Sequence, residues 1–317
     1  MKRRSSVQII VDKNQNIRIN NLSLDDYAEI FEDGYEEFNL CSEFTLDLNK
    51  TRIDIPEITH DIESTIQLYN SCEICFRKCK VNRNKNELGW CRLNPENNIY
   101  MVAILNDEEK MICPTYAIYL SSCNIACEFC HQKEFMQPNS RDYVSVYSVV
   151  EDIKNNINTI KTISFIGGNP DLSILTILRL VKLLKKDNID LPLIFNSNFL
   201  FTKKLYPIIE KYFDVLIPDF KFWNSNCSKN ICGLEEYKKI VQKNISYFID
   251  KKPMIIRHLP LPKHWECCSK PIIDWICKNL NTESQYLMSF LDMLHYDNSK
   301  SVNKCNLFYK ELMIKNI

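Results

Sequence analysis

After residue 112, short apolar and β-branched runs alternate with amphipathic stretches. Thr115–Leu120, Thr162–Ile166, Leu193–Asn196, Val215–Pro218, Met254–Leu259 and Tyr286–Phe290 read as buried strands. Between them apolar residues recur three and four apart, the period of a helix face. Val146, Val149, Val150, Ile153 and Ile157 make one stripe. Ile174, Leu175, Ile177, Leu178, Val181 and Leu184 make a second, after an Asp171 or Ser173 cap. Leu205, Ile208, Ile209 and Tyr212 follow Thr202, and Leu234, Tyr237, Ile240, Val241, Ile245 and Phe248 follow Gly233. Ile272, Ile273, Ile276 and Leu280 follow Ser269. Six strands alternating with five helices predict a parallel α/β fold, either a partial barrel or an open doubly wound sheet. Chemistry in both gathers at the C-terminal ends of the strands. Those ends carry Cys123, Gly167-Gly168, Asn196-Ser197-Asn198, Asp219 with Lys221, and Arg257-His258.

Upstream, Leu24, Tyr27, Ile30 and Phe31 recur at helical spacing within the acidic stretch Asp25–Glu37. A short helix packed on the outer face of the barrel is expected there. The change in composition suggests an N-terminal extension over 1–65 and a four-cysteine module over 66–112. A core over 113–300 follows, then a C-terminal helix or tail over 301–317.

Charge removes several partners. Lys+Arg and Asp+Glu both number 40, so no net field favours nucleic acid or an acidic membrane. Lys182–Lys186 and Lys238–Lys243 fall inside amphipathic patterns and read as solvated helix faces. No apolar run approaches the roughly 18 residues of a membrane span. The basic start is followed by only a scrap of apolar sequence, so no secretion signal is expected. The expected location is the cytosol.

Two counts depart from the average. Glycine occurs five times, where about 7% would give roughly 22. Two of the five are adjacent, Gly167-Gly168, so they mark a place where only glycine fits. Cysteine occurs 15 times, which in a cytosolic chain points to metal binding. No GxGxxG, GxxxxGK[ST] or HExxH motif is present.

The cysteines form three groups. Cys123, Cys127 and Cys130 make a C-x3-C-x2-C triplet. Three thiolates at this spacing can hold three irons of a 4Fe–4S cluster and leave the fourth open. A zinc site completed by His131 is the alternative. Cys72, Cys75, Cys79 and Cys91 are a second set, suited equally to zinc or to a fully ligated cluster, with Arg77, Lys78, Lys80 and Arg83 to offset thiolate charge. Cys41, Cys113, Cys227, Cys232, Cys267, Cys268, Cys277 and Cys305 share no spacing beyond the pair Cys267-Cys268, and read as small buried hydrophobes.

The triplet spacing, Phe129 before its third cysteine and the Gly-Gly loop downstream resemble the radical S-adenosylmethionine superfamily. Cys127-Glu-Phe-Cys-His-Gln132, Gly167-Gly-Asn-Pro170, Phe195-Asn-Ser-Asn198, Leu216-Ile-Pro-Asp-Phe-Lys221 and Ile256-Arg-His-Leu-Pro260 are similar to successive blocks of the glycyl-radical-enzyme activases. The module from Cys72 to Cys91, and His264-Trp-Glu-Cys-Cys268, resemble a subgroup with an upstream cysteine module.

The resemblance implies a partial six-stranded barrel, a 4Fe–4S cluster and S-adenosylmethionine as cofactors, and an electron donor such as flavodoxin or ferredoxin. It implies reductive cleavage of S-adenosylmethionine to a 5′-deoxyadenosyl radical that abstracts hydrogen from a protein or peptide partner. It places the cofactor near Phe129, Gly167, Gly168, Asn169, Asn196, Ser197, Asp219, Lys221, Arg257 and His258. Gly167-Gly168 would approach the methionyl amine, and Lys221 would meet the carboxylate. Asn169 stands where the activases carry Glu, and Phe199 where their turn carries Gly. His295 does not align with their last-strand histidine. A small-molecule substrate, and a non-catalytic zinc or iron–sulfur interaction protein, stay open as alternatives.

Overall fold

A computed structural model describes residues 6–11, 17–18 and 54–291, apart from 96, 107, 110, 131, 134–142, 260, 262–263 and 281–285. The helix expected in Asp25–Glu37, the tail over 301–317, Cys41, His131, His295 and Cys305 lie outside the described residues.

The elements run β1 (Ser6–Val11), β2 (Ile17–Arg18), α1 (Ile55–Leu68), β3 (Ile99–Leu105), β4 (Thr115–Leu120), α2 (Val146–Asn156), β5 (Thr162–Gly167), α3 (Ile174–Lys186), β6 (Leu193–Ser197), α4 (Tyr206–Tyr212), β7 (Val215–Pro218), α5 (Ser225–Cys232), α6 (Tyr237–Phe248), β8 (Met254–His258), α7 (Lys270–Asn279) and β9 (Tyr286–Leu291). Strands β4 to β9 lie side by side in chain order, each parallel to the next. Right-handed crossovers between sequential neighbours put every connecting helix on one face. A sheet wound in a single direction curls about its other face, so the arrangement is the partial barrel. β3 and β1 extend it antiparallel at its two edges.

The side-chain period of two divides the core. Outward residues Ile163, Phe165, Leu193, Phe195, Leu216, Met254 and Ile256 pack with Val149, Ile153, Ile177, Val181, Ile209, Val241 and Ile245 of the helices. Each such fully buried side chain contributes about 1.5–3 kcal/mol. Inward residues Ile194, Val215, Ile217 and Ile255 pack with Ile112 and Cys113 from the segment before β4. That segment closes the N-terminal end of the barrel. The C-terminal end carries the polar residues.

The expected strands and helix stripes recur with small changes of boundary. The segment over 170–173 is a 3-10 turn, and Ser173 makes no side-chain cap at the start of α3. The stripe beginning at Leu234 becomes helix at Tyr237. Helix α5 is additional. Its eight residues are mostly polar, and local devices delimit it: Asn224 accepts from the N–H groups of Asn226 and Cys227, and Gly233 closes the helix at φ +75°. Helix α1, signalled by Ile58, Ile62 and Ile66 four apart, runs across the 65/66 division, and β3 within 66–112 belongs to the sheet. No helix among the described residues is long and apolar enough to cross a membrane.

Candidate metal and cofactor site

The loop after β4 carries the cysteine triplet and is held by the end of α5. The last carbonyls of a helix have no partner within it. Here Ile231 O accepts from Glu128 N at 3.0 Å, and Cys232 O from Ala126 N at 3.5 Å. Phe129 is buried 6.0 Å from the Phe222 ring. The Asn198 side-chain amide donates to Cys123 Sγ at 3.4 Å and to Asn124 Oδ1 at 2.7 Å. Burial pushes the Cys123 and Cys130 thiols up, and the Cys232 thiol together with burial pushes Cys127 up.

Lys221 stands beside these sulfurs, its Nζ 2.7 Å from Asp219 Oδ2 and 5.9 Å from the centre of the Phe129 ring. Burial works against the ammonium, but Asp219, Cys127 and Cys130 outweigh it and hold its pKa above the ordinary value. The Tyr237 hydroxyl donates to Asp219 O at 2.7 Å and accepts from Lys221 N at 3.2 Å, fixing the backbone between the two charges.

The glycine pair has a visible steric cause. A Cβ on Gly168 would stand 1.8 Å from Ser122 O, and one on Gly167, whose φ is +102°, would stand 2.6 Å from Leu120 N. Both glycines therefore let the β5 turn pass against the backbone entering the cysteine loop. Asn169 is tied in as well. Its Oδ1 accepts from Asn198 N at 3.2 Å and its Nδ2 donates to Asp171 Oδ2 at 2.7 Å. Ser197 donates to Asp171 Oδ1 at 2.6 Å. Burial pushes the Asp171 carboxyl up to about 6. Phe199 keeps the left-handed turn, with φ +56°, although it lacks the freedom of glycine.

Asn196, Asp219 and Arg257 project to the inward face by strand parity. Arg257 is occupied: Nε lies 2.8 Å from Glu109 Oε1, Nη2 lies 2.6 Å from Glu109 Oε2, and Nη2 also pairs with Glu108. His258 is buried and pushed down to about 4, burial being the main cause. The neutral ring donates from Nδ1 to Phe220 O at 2.6 Å, so Nε2 accepts from Ser269 at 2.9 Å.

The upstream cysteines gather as well. Cys72, Cys75, Cys79 and Cys91 line a pocket with Arg77, Arg83, Trp90 and Asn124. Arg83 is 1% exposed and donates to Leu93 O, Leu172 O and Asn94 O at 3.0–3.1 Å. Its charge faces the Cys72 and Cys91 sulfurs. Arg77 lies over the Trp90 ring at 3.7 Å and donates to Asn124 O at 2.9 Å, inside the triplet loop. Ser122 donates to Cys91 O at 2.7 Å. The module thus leans on the triplet loop. Asn124 Nδ2 is buried without a hydrogen-bond partner, and the pocket it lines is where thiolates on a metal would offer an acceptor.

Of the cysteines read as buried hydrophobes, Cys113, Cys232 and Cys268 are buried in apolar packing, whereas Cys227 and Cys267 are half-buried. Cys232 stands beside Cys127. Cys227, Cys267 and Cys268 meet His264, their ligand atoms all within 4.8 Å of one another. The pair Cys267-Cys268, three residues after His264, was the legible signal. Cys227 had none.

Residues 114–232 match a family described as a 4Fe-4S single cluster domain, a span that contains the whole triplet. The chain is 30% identical over 228 residues to protein MJ0674 of Methanocaldococcus jannaschii, covering 69% of this chain. It spans 65% of the length of that relative. Among solved structures it is similar to Streptococcus suis SuiB bound to the precursor peptide SuiA, with TM-score 0.41 and 18% identity over 50% of this chain and 36% of that one. QueE from Escherichia coli gives a TM-score of 0.37 and 12% identity over 61% of this chain and 93% of that one.

Proposed function

We propose that this chain is a radical S-adenosylmethionine iron–sulfur enzyme. Cys123, Cys127 and Cys130 would hold three irons of a 4Fe–4S cluster, the fourth being left for the amino and carboxylate groups of S-adenosylmethionine. The observation that carries the reading is the convergence of three half-buried thiols, a half-buried ammonium and a glycine turn at the C-terminal ends of parallel strands. When bound, the cluster supplies the electron that breaks a carbon–sulfur bond of the sulfonium, yielding methionine and a 5′-deoxyadenosyl radical.

The protein orients and excludes water. Lys221 spends one of its three donors on Asp219 and offers the ammonium as partner for the methionyl carboxylate. Asn196 and Asp219 stand on the inward face for polar groups of the cofactor. Gly167, Gly168, Asn169 and Ser197 shape the wall, and His258 braces the ends of β7 and β8. The four upstream cysteines take a second metal, zinc or a cluster, beside Arg83.

The reading extends to hydrogen abstraction from a protein or peptide partner, supported by the sequence blocks shared with the activases. Adding S-adenosylmethionine to the reduced, anaerobic protein should change the electron paramagnetic resonance signal of the cluster. Lys221→Met should weaken that binding roughly ten- to hundredfold, from one charge-assisted contact of about 1.5–3 kcal/mol, with iron content unchanged. An unaltered signal at saturating cofactor would overturn the proposal.

A further inference from the structure

We infer that Cys227, His264, Cys267 and Cys268 form a closed tetrahedral zinc site, distinct from both cysteine motifs of the sequence. Zinc with sulfur ligands at about 2.3 Å sets those sulfurs about 3.8 Å apart and an imidazole nitrogen slightly nearer. Cys227 Sγ and Cys267 Sγ are 3.7 Å apart, and Cys267 Sγ is 3.3 Å from His264 Nδ1. All four ligand atoms fall within 4.8 Å of one another. Four protein ligands leave no open position, which is the pattern of a structural site.

The donors come from two loops at one end of the barrel. Cys227 lies in the first turn of α5, after β7. His264 and the cysteine pair lie after β8, where Trp265–Ser269 form a π turn. That turn brings the consecutive thiols Cys267 and Cys268 into one group, while Cys268 N and Ser269 N both bond back to His264 O at 2.9 and 3.2 Å. Packed thiols cannot ionise together without a cation among them, and a divalent ion removes that repulsion.

The site also has a task that follows from its position. Helix α5 holds Cys227 at one end and, through Ile231 O and Cys232 O, supports the triplet loop at the other. Zinc would pin α5 to the β8 turn and so stiffen the support of the loop. The inference stands whether or not the triplet carries iron.

The test is metal analysis of the full-length, untagged protein prepared anaerobically, with X-ray absorption at the zinc edge. Wild type should contain about one zinc more than Cys227→Ser and His264→Ala, and the triple variant Cys123→Ala, Cys127→Ala, Cys130→Ala should keep that zinc. The difference spectrum between wild type and Cys227→Ser should show sulfur with imidazole scattering. Iron content and secondary structure by circular dichroism should be unchanged in Cys227→Ser, which separates loss of the site from loss of the fold. Equal zinc in wild type and Cys227→Ser, a difference spectrum without imidazole, or a Cys227–Cys267 disulfide found by mass spectrometry would overturn it. Should Cys227→Ser lose its fold, the zinc-edge spectrum of wild type alone decides: absence of any imidazole contribution refutes the site.

Discussion

Asn198 donates its side-chain amide to the sulfur of Cys123 across 3.4 Å, joining the end of β6 to the cysteine loop. A hydrogen bond to a ligating sulfur stabilises the more negative, reduced state of a cluster. Asn198→Ala should therefore lower the midpoint potential of the cluster proposed at the triplet, by an amount on the order of tens of millivolts. Redox titration followed by electron paramagnetic resonance reads this directly. An unchanged potential would mean that the contact serves only the loop.

Arg83 is the buried cation of the upstream module. Its three carbonyl acceptors match a planar five-donor head that lysine cannot reproduce. Arg83→Met should cost about 3–5 kcal/mol of stability and abolish the metal binding proposed for Cys72, Cys75, Cys79 and Cys91. Arg83→Lys should not rescue it. Metal content and denaturant midpoint measure both effects, and full metal occupancy in Arg83→Met would contradict the assigned charge balance.

Phe199 occupies a left-handed position at φ +56° and is fully buried, 5.0 Å from the Phe201 ring and 6.3 Å from the Phe248 ring. Glycine there would relieve about 1–2 kcal/mol of strain and remove aromatic packing of about 3–5 kcal/mol. Phe199→Gly should thus destabilise the protein by about 1–4 kcal/mol on the same figures. A gain in denaturant midpoint would show that strain dominates.

Much of this was legible beforehand. The alternation after residue 112 carried the parallel strands because each buried strand repeats the same chemical demand. The open choice between barrel and doubly wound sheet was settled by strand order, a long-range property that periodicity does not contain. Helix α5 escaped because its end signals, Asn224 and Gly233, flank a polar segment with no apolar stripe. The triplet was readable because its spacing is local. The group of Cys227 with His264, Cys267 and Cys268 joins loops 37 residues apart and more, so only the fold assembles it. Glycine scarcity pointed to Gly167-Gly168, and the steric reason is contact with the backbone at Leu120 and Ser122.

Two buried groups set opposing pH slopes. Asp171 is pushed up to about 6, so between roughly pH 4 and 6 the unfolded chain releases a proton that the fold retains, and stability falls as pH rises. His258 is pushed down to about 4, so from about pH 6.5 downward the unfolded chain gains a proton that the fold refuses, and stability falls as pH falls. Each effect reaches about 3 kcal/mol at most, and they largely cancel. Asp171→Asn should leave the His258 slope alone, with stability rising by about 2 kcal/mol between roughly pH 5 and 6.5. Denaturation of wild type and variant across that range checks the sign. Parallel curves would rule out the buried carboxyl as a titrating group.

The most direct measurement is product analysis after S-adenosylmethionine is incubated with the reconstituted protein and dithionite under strict anaerobiosis. Methionine and 5′-deoxyadenosine should form in equal amounts, and neither should form with the triple variant Cys123→Ala, Cys127→Ala, Cys130→Ala. Formation of neither product by wild-type protein with its iron in place would contradict the radical reading.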